Sequence, residues 1–125
     1  MTKDDLALTK KFLDEHKINI LNTRVFKKDD GKFVITVSSI STEKSQKDIA
    51  FMDNKFDVNY GEFAPYLEEC NMYLKEALKY CANENQEGMI KKYLEHHVDG
   101  NIDTHKDSQR FWVKDKGPVV ESNLG

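Results

Sequence analysis

No apolar run in the sequence approaches the roughly 18 residues that a membrane-spanning helix requires. The charged opening, MTKDD, lacks the apolar core of a signal peptide. No sign of charge dominates: 19 Lys and Arg stand against 22 Asp and Glu, for a net charge of −3. So weak a field would not draw in DNA or an anionic membrane, and neither is expected as a partner. Cysteine is scarce. Cys70 and Cys81 are the two in the chain, and eleven residues apart on one helix they would share a face about 16 Å apart, too far to bridge. Free thiols fit a reducing compartment, so the expected location is cytoplasmic. The motifs CxxC, HExxH, GxGxxG, GxSxG and the P-loop are all missing. No internal repeat or low-complexity segment is present.

What remains is enough for one domain over residues 1–125. A chain of this length buries roughly two-thirds of its unfolded surface and needs no disulfide or metal to hold a core. One Trp, five Tyr and seven Phe supply apolar bulk despite 33% charged residues.

The pattern along the chain is α+β. Thr2 and Asp5 resemble a capping box ahead of Leu6, Leu8, Phe12 and Leu13, which predict a short helix ending near His16. From Thr23 the period becomes alternating. Thr23 to Lys28 and Lys32 to Ser39 read as a hairpin around Asp29-Asp30-Gly31. Ser41 to Asp48 reads as an exposed loop. Ile49 to Met52 and Phe56 to Tyr60 read as a second hairpin around Asp53-Asn54. Phe63, Leu67, Cys70, Leu74, Ala77, Leu78 and Cys81 give a long helix with Pro65 in its first turn and both thiols on its buried stripe. Met89, Ile90, Tyr93, Leu94 and His97 give another helix, stopped by Gly100; Ile102 to Lys114 gives a third. Gly117-Pro118 is a break, and Val119-Val120-Glu121 reads as the start of a strand. A strand cut off at Gly125 reads as a truncated chain. The expected architecture is a small antiparallel sheet of about four strands packed with three to four helices.

Few residues suggest chemistry. His96 and His97 are adjacent and point about 100° apart on a helix, a poor chelating pair, and His105 lies beyond Gly100. Tyr66, Tyr73 and Tyr80 recur every seven residues, as either a docking stripe or the edge of a buried face. Glu121 follows two valines after the break. It reads either as an exposed strand carboxylate or as a cation partner at a cleft.

The tail FWVKDKGPVVESNLG, Phe111 to Gly125, is similar to a stretch of the dipeptidyl peptidase III family that usually reads close to FWxQDKGPxVESYIGF. Upstream, Phe12-Leu13-Asp14 and Asn22 to Lys27 resemble that family's FLD and NTRxFK blocks. Gly61 to Pro65 resembles GDYAP. Tyr80 to Asn83, with Gln86 and Met89, resembles its YAAN segment, and Gly100-Asn101-Ile102 with His105-Lys106 resembles GSIEAHK. The blocks fall in order and in register across nearly the whole chain.

The resemblance implies a cytosolic zinc exopeptidase that removes dipeptides from the N-termini of short peptides, with two lobes around a wide cleft. It places the zinc ligands, in an HExxGH motif and a later glutamate, in a lobe missing from these residues. This chain would be the strand-rich, substrate-side lobe, with its sheet part of a barrel. Its partners would be short peptides and the zinc-binding lobe of the same chain. Alone it would hold no metal and be inactive. Two positions carry over. Glu121 matches the glutamate that binds the substrate's N-terminal amine. Asn123 stands where the family usually has a tyrosine whose hydroxyl polarises the scissile carbonyl; an amide is shorter and donates no phenolic proton. Lys114 replaces a usual glutamine. The alternative is a non-catalytic peptide-binding or structural α+β module, holding extended peptide at its sheet edge.

Overall fold

The computed structural model describes residues 1–124. Thr2 starts α1 (Lys3–Glu15) with a reciprocal cap. Its hydroxyl accepts the Asp5 N–H at 3.2 Å, and the Asp5 carboxylate accepts the Thr2 N–H at 2.7 Å. The helix buries Thr9, Phe12 and Leu13.

Both hairpins are present. β1 (Thr23–Lys27) pairs antiparallel with β2 (Phe33–Ser38), and β3 (Gln46–Phe51) with β4 (Asn54–Glu62). The second hairpin turns on Met52 and Asp53, both at positive φ, because Asn54 pairs with Phe51. That is one residue earlier than expected. β3 also begins inside the stretch that reads as a loop.

The sheet is not wholly antiparallel. Its order is β1-β2-β4-β3, and β2 runs parallel to β4 with Phe33 beside Phe56, Ile35 beside Val58 and Val37 beside Tyr60. The chain leaves β2, crosses to the far edge as β3, and returns as β4 into the gap. Burial gives the reason. Phe33, Val34 and Ile35 are buried in succession on β2, as are Phe56, Asp57 and Val58 on β4. Strands covered on both faces belong at the centre; β1 and β3, mostly exposed, form the edges. The four strands form an open sheet.

The core lies between α1 and this sheet. Phe12, Leu13, Phe33, Ile35, Val37, Phe51, Phe56 and Val58 make one buried cluster. Phe33 stacks on Phe56 at 4.8 Å between ring centroids, and Phe51 meets Phe12 edge-on at 5.4 Å.

α2 (Ala64–Ala77) carries Pro65 in its first turn and tightens into a 3₁₀ turn, Leu78–Tyr80. α3 (Glu84–Asp99) starts at Asn83, whose side chain accepts the Gln86 N–H, and α4 (Ile102–Trp112) starts at Asn101. α3 and α4 bury Met89, Tyr93, Ile102 and Ser108. Gly100 makes the corner between them at φ +67, and a Cβ there would lie 2.8 Å from the Ser38 carbonyl oxygen. Only glycine seats this corner against the end of β2. Ile40 and Ser41 donate their N–H groups to His97 and Val98 at 2.8 and 2.9 Å, tying the last turn of α3 to the sheet.

Two expectations fail in the helical half. α2 buries Asn71 alone, while Cys70 is exposed and Cys81 half-buried. Phe63, Tyr66, Tyr73 and Tyr80 are 48%, 70%, 64% and 78% exposed. α2 meets α3 at Asn71, whose Nδ2 donates to the Leu94 carbonyl oxygen at 3.3 Å; Leu67 and Leu74 are half-buried, and the flank of Tyr66 and Tyr73 stays exposed. Val119-Val120-Glu121 is not a strand, because no described strand lies beside it; nothing after Trp112 is regular.

Candidate functional site

The segment after α4 carries both residues that the sequence singles out. Its course is set by two anchors. At the first, Asp115 accepts hydrogen bonds from Asn83 Nδ2 at 2.8 Å and Gln86 Nε2 at 2.9 Å. Both donors sit at the start of α3, where a carboxylate is favoured by the unpaired N–H groups of the first turn. At the second, Asn123 Oδ1 accepts the Tyr93 hydroxyl at 3.0 Å and Gln109 Nε2 at 3.0 Å. The Leu124 N–H donates to the same Tyr93 oxygen at 3.0 Å.

Between the anchors the chain stands free. Gly117 takes φ +65, Pro118 follows, and Val119 and Val120 are exposed. Glu121 is exposed too, and no described side chain pairs with its carboxylate. Glu121 and Asn123 lie two residues apart on one segment: a free carboxylate, then an amide fixed through its oxygen.

Tyr93 is the residue that reading the sequence missed. It appears there as one member of the α3 stripe, and it is 1% exposed, as a core residue should be. Its hydroxyl, however, lies under the tail and anchors it. No spacing in the sequence joins positions 93, 109 and 123. The packing of α4 on α3 brings Gln109 beside Tyr93, and the tail's return does the rest.

The histidines gather nearby without forming a metal site. His96 lies between His97 and His105, with ring centroids 5.9 and 5.2 Å away. His97 Nδ1 lies 2.7 Å from Asn71 Oδ1 and donates to it. Burial, then the neighbouring imidazoles, lowers the pKa of His97 and of His105. Among the described residues no group of three His, Cys, Asp or Glu side chains could hold a metal ion.

A groove of about 610 Å³ opens elsewhere, between the end of α1, the end of the sheet and the start of α4. Lys10, Lys17, Lys44 and Lys106 line it together with Asp14, Asp99 and Asp103, and Lys106 is paired with Asp103 at 2.8 Å. With both signs present, it selects for neither anion nor cation. Neither Glu121 nor Asn123 lines it.

A family model described as Peptidase family M49 matches residues 1–125. The chain belongs to peptidase family M49. This M49 chain is 39% identical over its whole length to Dipeptidyl peptidase 3 of Dictyostelium discoideum. It is 37% identical over 98% of its length to Dipeptidyl peptidase 3 of Rattus norvegicus, and 34% identical over 99% to that of Homo sapiens. The matched regions make up 18%, 18% and 19% of those relatives, so this M49 chain spans about a fifth of their length. No described helix is long and apolar enough to cross a membrane.

Proposed function

We propose that this chain is the substrate-side lobe of a zinc-dependent exopeptidase that releases dipeptides from the N-termini of short peptides. In this reading a zinc ion supplies Lewis-acid chemistry from a lobe outside these residues. The 125 residues line the cleft and are inactive alone. Glu121 pairs with the peptide's terminal ammonium, and a fixed carboxylate there sets the cut two residues in. Asn123, through its amide N–H, hydrogen-bonds the scissile carbonyl oxygen.

The observation that carries this reading is the anchored tail. Asp115 and Asn123 hold its two ends. Glu121 is left facing solvent with no ion partner among the described residues, as a carboxylate waiting for an ammonium should be. A second feature agrees with it. The flank of α2 that exposes Tyr66, Tyr73 and Tyr80 is what a lobe offers to the rest of a larger protein. By this reading the open sheet is closed toward a barrel by strands outside the chain. The free thiols Cys70 and Cys81 suit a cytoplasmic parent.

Strand addition by a peptide at the β3 edge has less behind it. That edge exposes Gln46, Lys47 and Asp48 and breaks register between Gln46 and Ile49, features that blunt an edge.

The test compares the full-length protein with this chain alone. The full-length protein should hold one zinc per chain and release dipeptides from peptides with a free N-terminus. The isolated chain should do neither. Dipeptide release by the isolated chain would refute the division between lobes. A full-length protein that releases none would refute the activity.

A further inference from the structure

Tyr93 has one hydroxyl hydrogen and two lone pairs, and the structure uses all three. The oxygen accepts the Leu124 N–H at 3.0 Å and one hydrogen of Gln109 Nε2 at 3.3 Å. With both lone pairs engaged, its hydrogen goes to Asn123 Oδ1 at 3.0 Å. Gln109 Nε2 also donates to Asn123 Oδ1 at 3.0 Å. Gln109 Nε2 also lies 3.4 Å from Ser108 Oγ, whose own hydrogen goes to the His105 carbonyl oxygen at 2.6 Å, so the nitrogen of Gln109 is set by an acceptor outside the pair. Facing that nitrogen and the Tyr93 hydroxyl, the Asn123 amide turns its oxygen to two donors, and its Nδ2 is left without a partner among the described residues. Asn123 is otherwise exposed. Its donors stand on a buried ring of α3 and on the adjoining face of α4, so the amide is referred to the rigid helical pair and not to the free segment that precedes it.

We propose that Tyr93 and Gln109 are positioning residues that hold the Asn123 amide with its N–H face toward substrate. The proposal rests on the reading of Asn123 as a donor to the scissile carbonyl, and it adds how that donor is aimed. An exposed asparagine samples both amide orientations, and half of them present an oxygen, which repels a carbonyl. Fixing the oxygen inward removes the wrong orientation before substrate arrives. A preorganised donor acts on the transition state more than on binding, so its loss appears in kcat and not in KM. The shared Leu124 contact fixes the backbone beside Asn123 through the same hydroxyl, so one group sets both the side chain and its Cα.

The experiment is a double-mutant cycle in the full-length enzyme, with a dipeptide-releasing substrate and a thermal melt for each variant. Tyr93→Phe removes a single oxygen and keeps the ring. It should lower kcat about tenfold, the scale of losing one directing hydrogen bond, with KM changed less than about twofold. Gln109→Ala, on a different helix and half-buried, should shift kcat the same way by less, and it serves if Tyr93→Phe fails to fold. In an Asn123→Ala background neither substitution should lower kcat further. Equal losses with and without Asn123 would make Tyr93 and Gln109 structural supports and overturn the proposal. Unchanged kcat in both single variants would overturn it as well. If Asn123→Ala itself leaves kcat unchanged, the reading of Asn123 as a donor has failed, and the aiming role falls with it.

Discussion

Phe12 of α1 and Phe56 of β4 stack face to face, with ring centroids 4.0 Å apart and planes 5° from parallel. Both are fully buried, and through them the first helix and a central strand share one core. Phe12→Ala opens a cavity between α1 and the sheet that the β-strands cannot close. It should destabilise this chain by about 3–5 kcal/mol, read from urea or thermal unfolding. A loss below about 1 kcal/mol would mean that α1 does not cover the sheet.

Acid should loosen the same helix at its start. The Asp5 carboxyl is lowered to about 2, first by the hydrogen bond from Lys27 Nζ at 2.7 Å and then by the Thr2 N–H. Folding thus favours the carboxylate. Its contribution is complete above the ordinary value of 3.8 and is lost as pH falls toward 2. A carbon-detected titration of Asp5 should give a midpoint near 2 in the native protein. Lys27→Met should move that midpoint toward 3.8 and shallow the loss of stability across the same window. An unmoved midpoint would assign the shift to the Thr2 cap alone.

Gly88 sits in α3 with the Phe111 ring of α4 over it, and a Cβ there would lie 2.6 Å from a ring carbon. In an open helix Gly→Ala is stabilising by roughly 0.5–1 kcal/mol. Here the methyl has to displace Phe111, and overpacking of this kind costs about 1–3 kcal/mol. Gly88→Ala should therefore lower the melting temperature, with Phe111→Ala in the same chain reversing the sign of its effect. A stabilised single variant would show that Phe111 moves aside freely.

The local elements were legible in the sequence, and their assembly was less so. Thr2 with Asp5, Gly31 and Gly100 mark a helix start, a turn and a helix stop by their own chemistry, and each is found within a residue of the expected place. Both hairpins depend on pairings between neighbours in sequence. The insertion of β4 between β2 and β3 does not. Nothing local distinguishes it from a simple meander, and only the double-sided burial of Phe33 to Ile35 and Phe56 to Val58 hints at it. Periodicity misjudged α2 for a different reason. An apolar stripe records a face that is covered somewhere, and within these residues Tyr66, Cys70, Tyr73 and Tyr80 have no cover. Val119 and Val120 misled in the same way: β-branched residues read as a strand, and no described strand lies beside them.

Family membership was legible because several blocks, each weak alone, fall in register. The candidate site was legible only in part. Glu121 and Asn123 are candidates through the resemblance of the tail. Tyr93, Gln109 and Asp115, which hold that tail, were not singled out, because their roles come from the crossing of α3 and α4 and no sequence interval encodes it.

Whether Glu121 reads the peptide amine, as proposed, is decided by Glu121→Gln in the full-length protein. The substitution keeps the shape and removes the charge. A hydrogen bond to a charged group contributes roughly 1.5–3 kcal/mol, so catalytic efficiency on a free peptide should fall by about tenfold to a hundredfold or more. On the N-acetylated version of the same peptide, which has no ammonium, the loss should be much smaller. If the substitution slows both peptides equally, Glu121 does not read the amine and is a structural carboxylate.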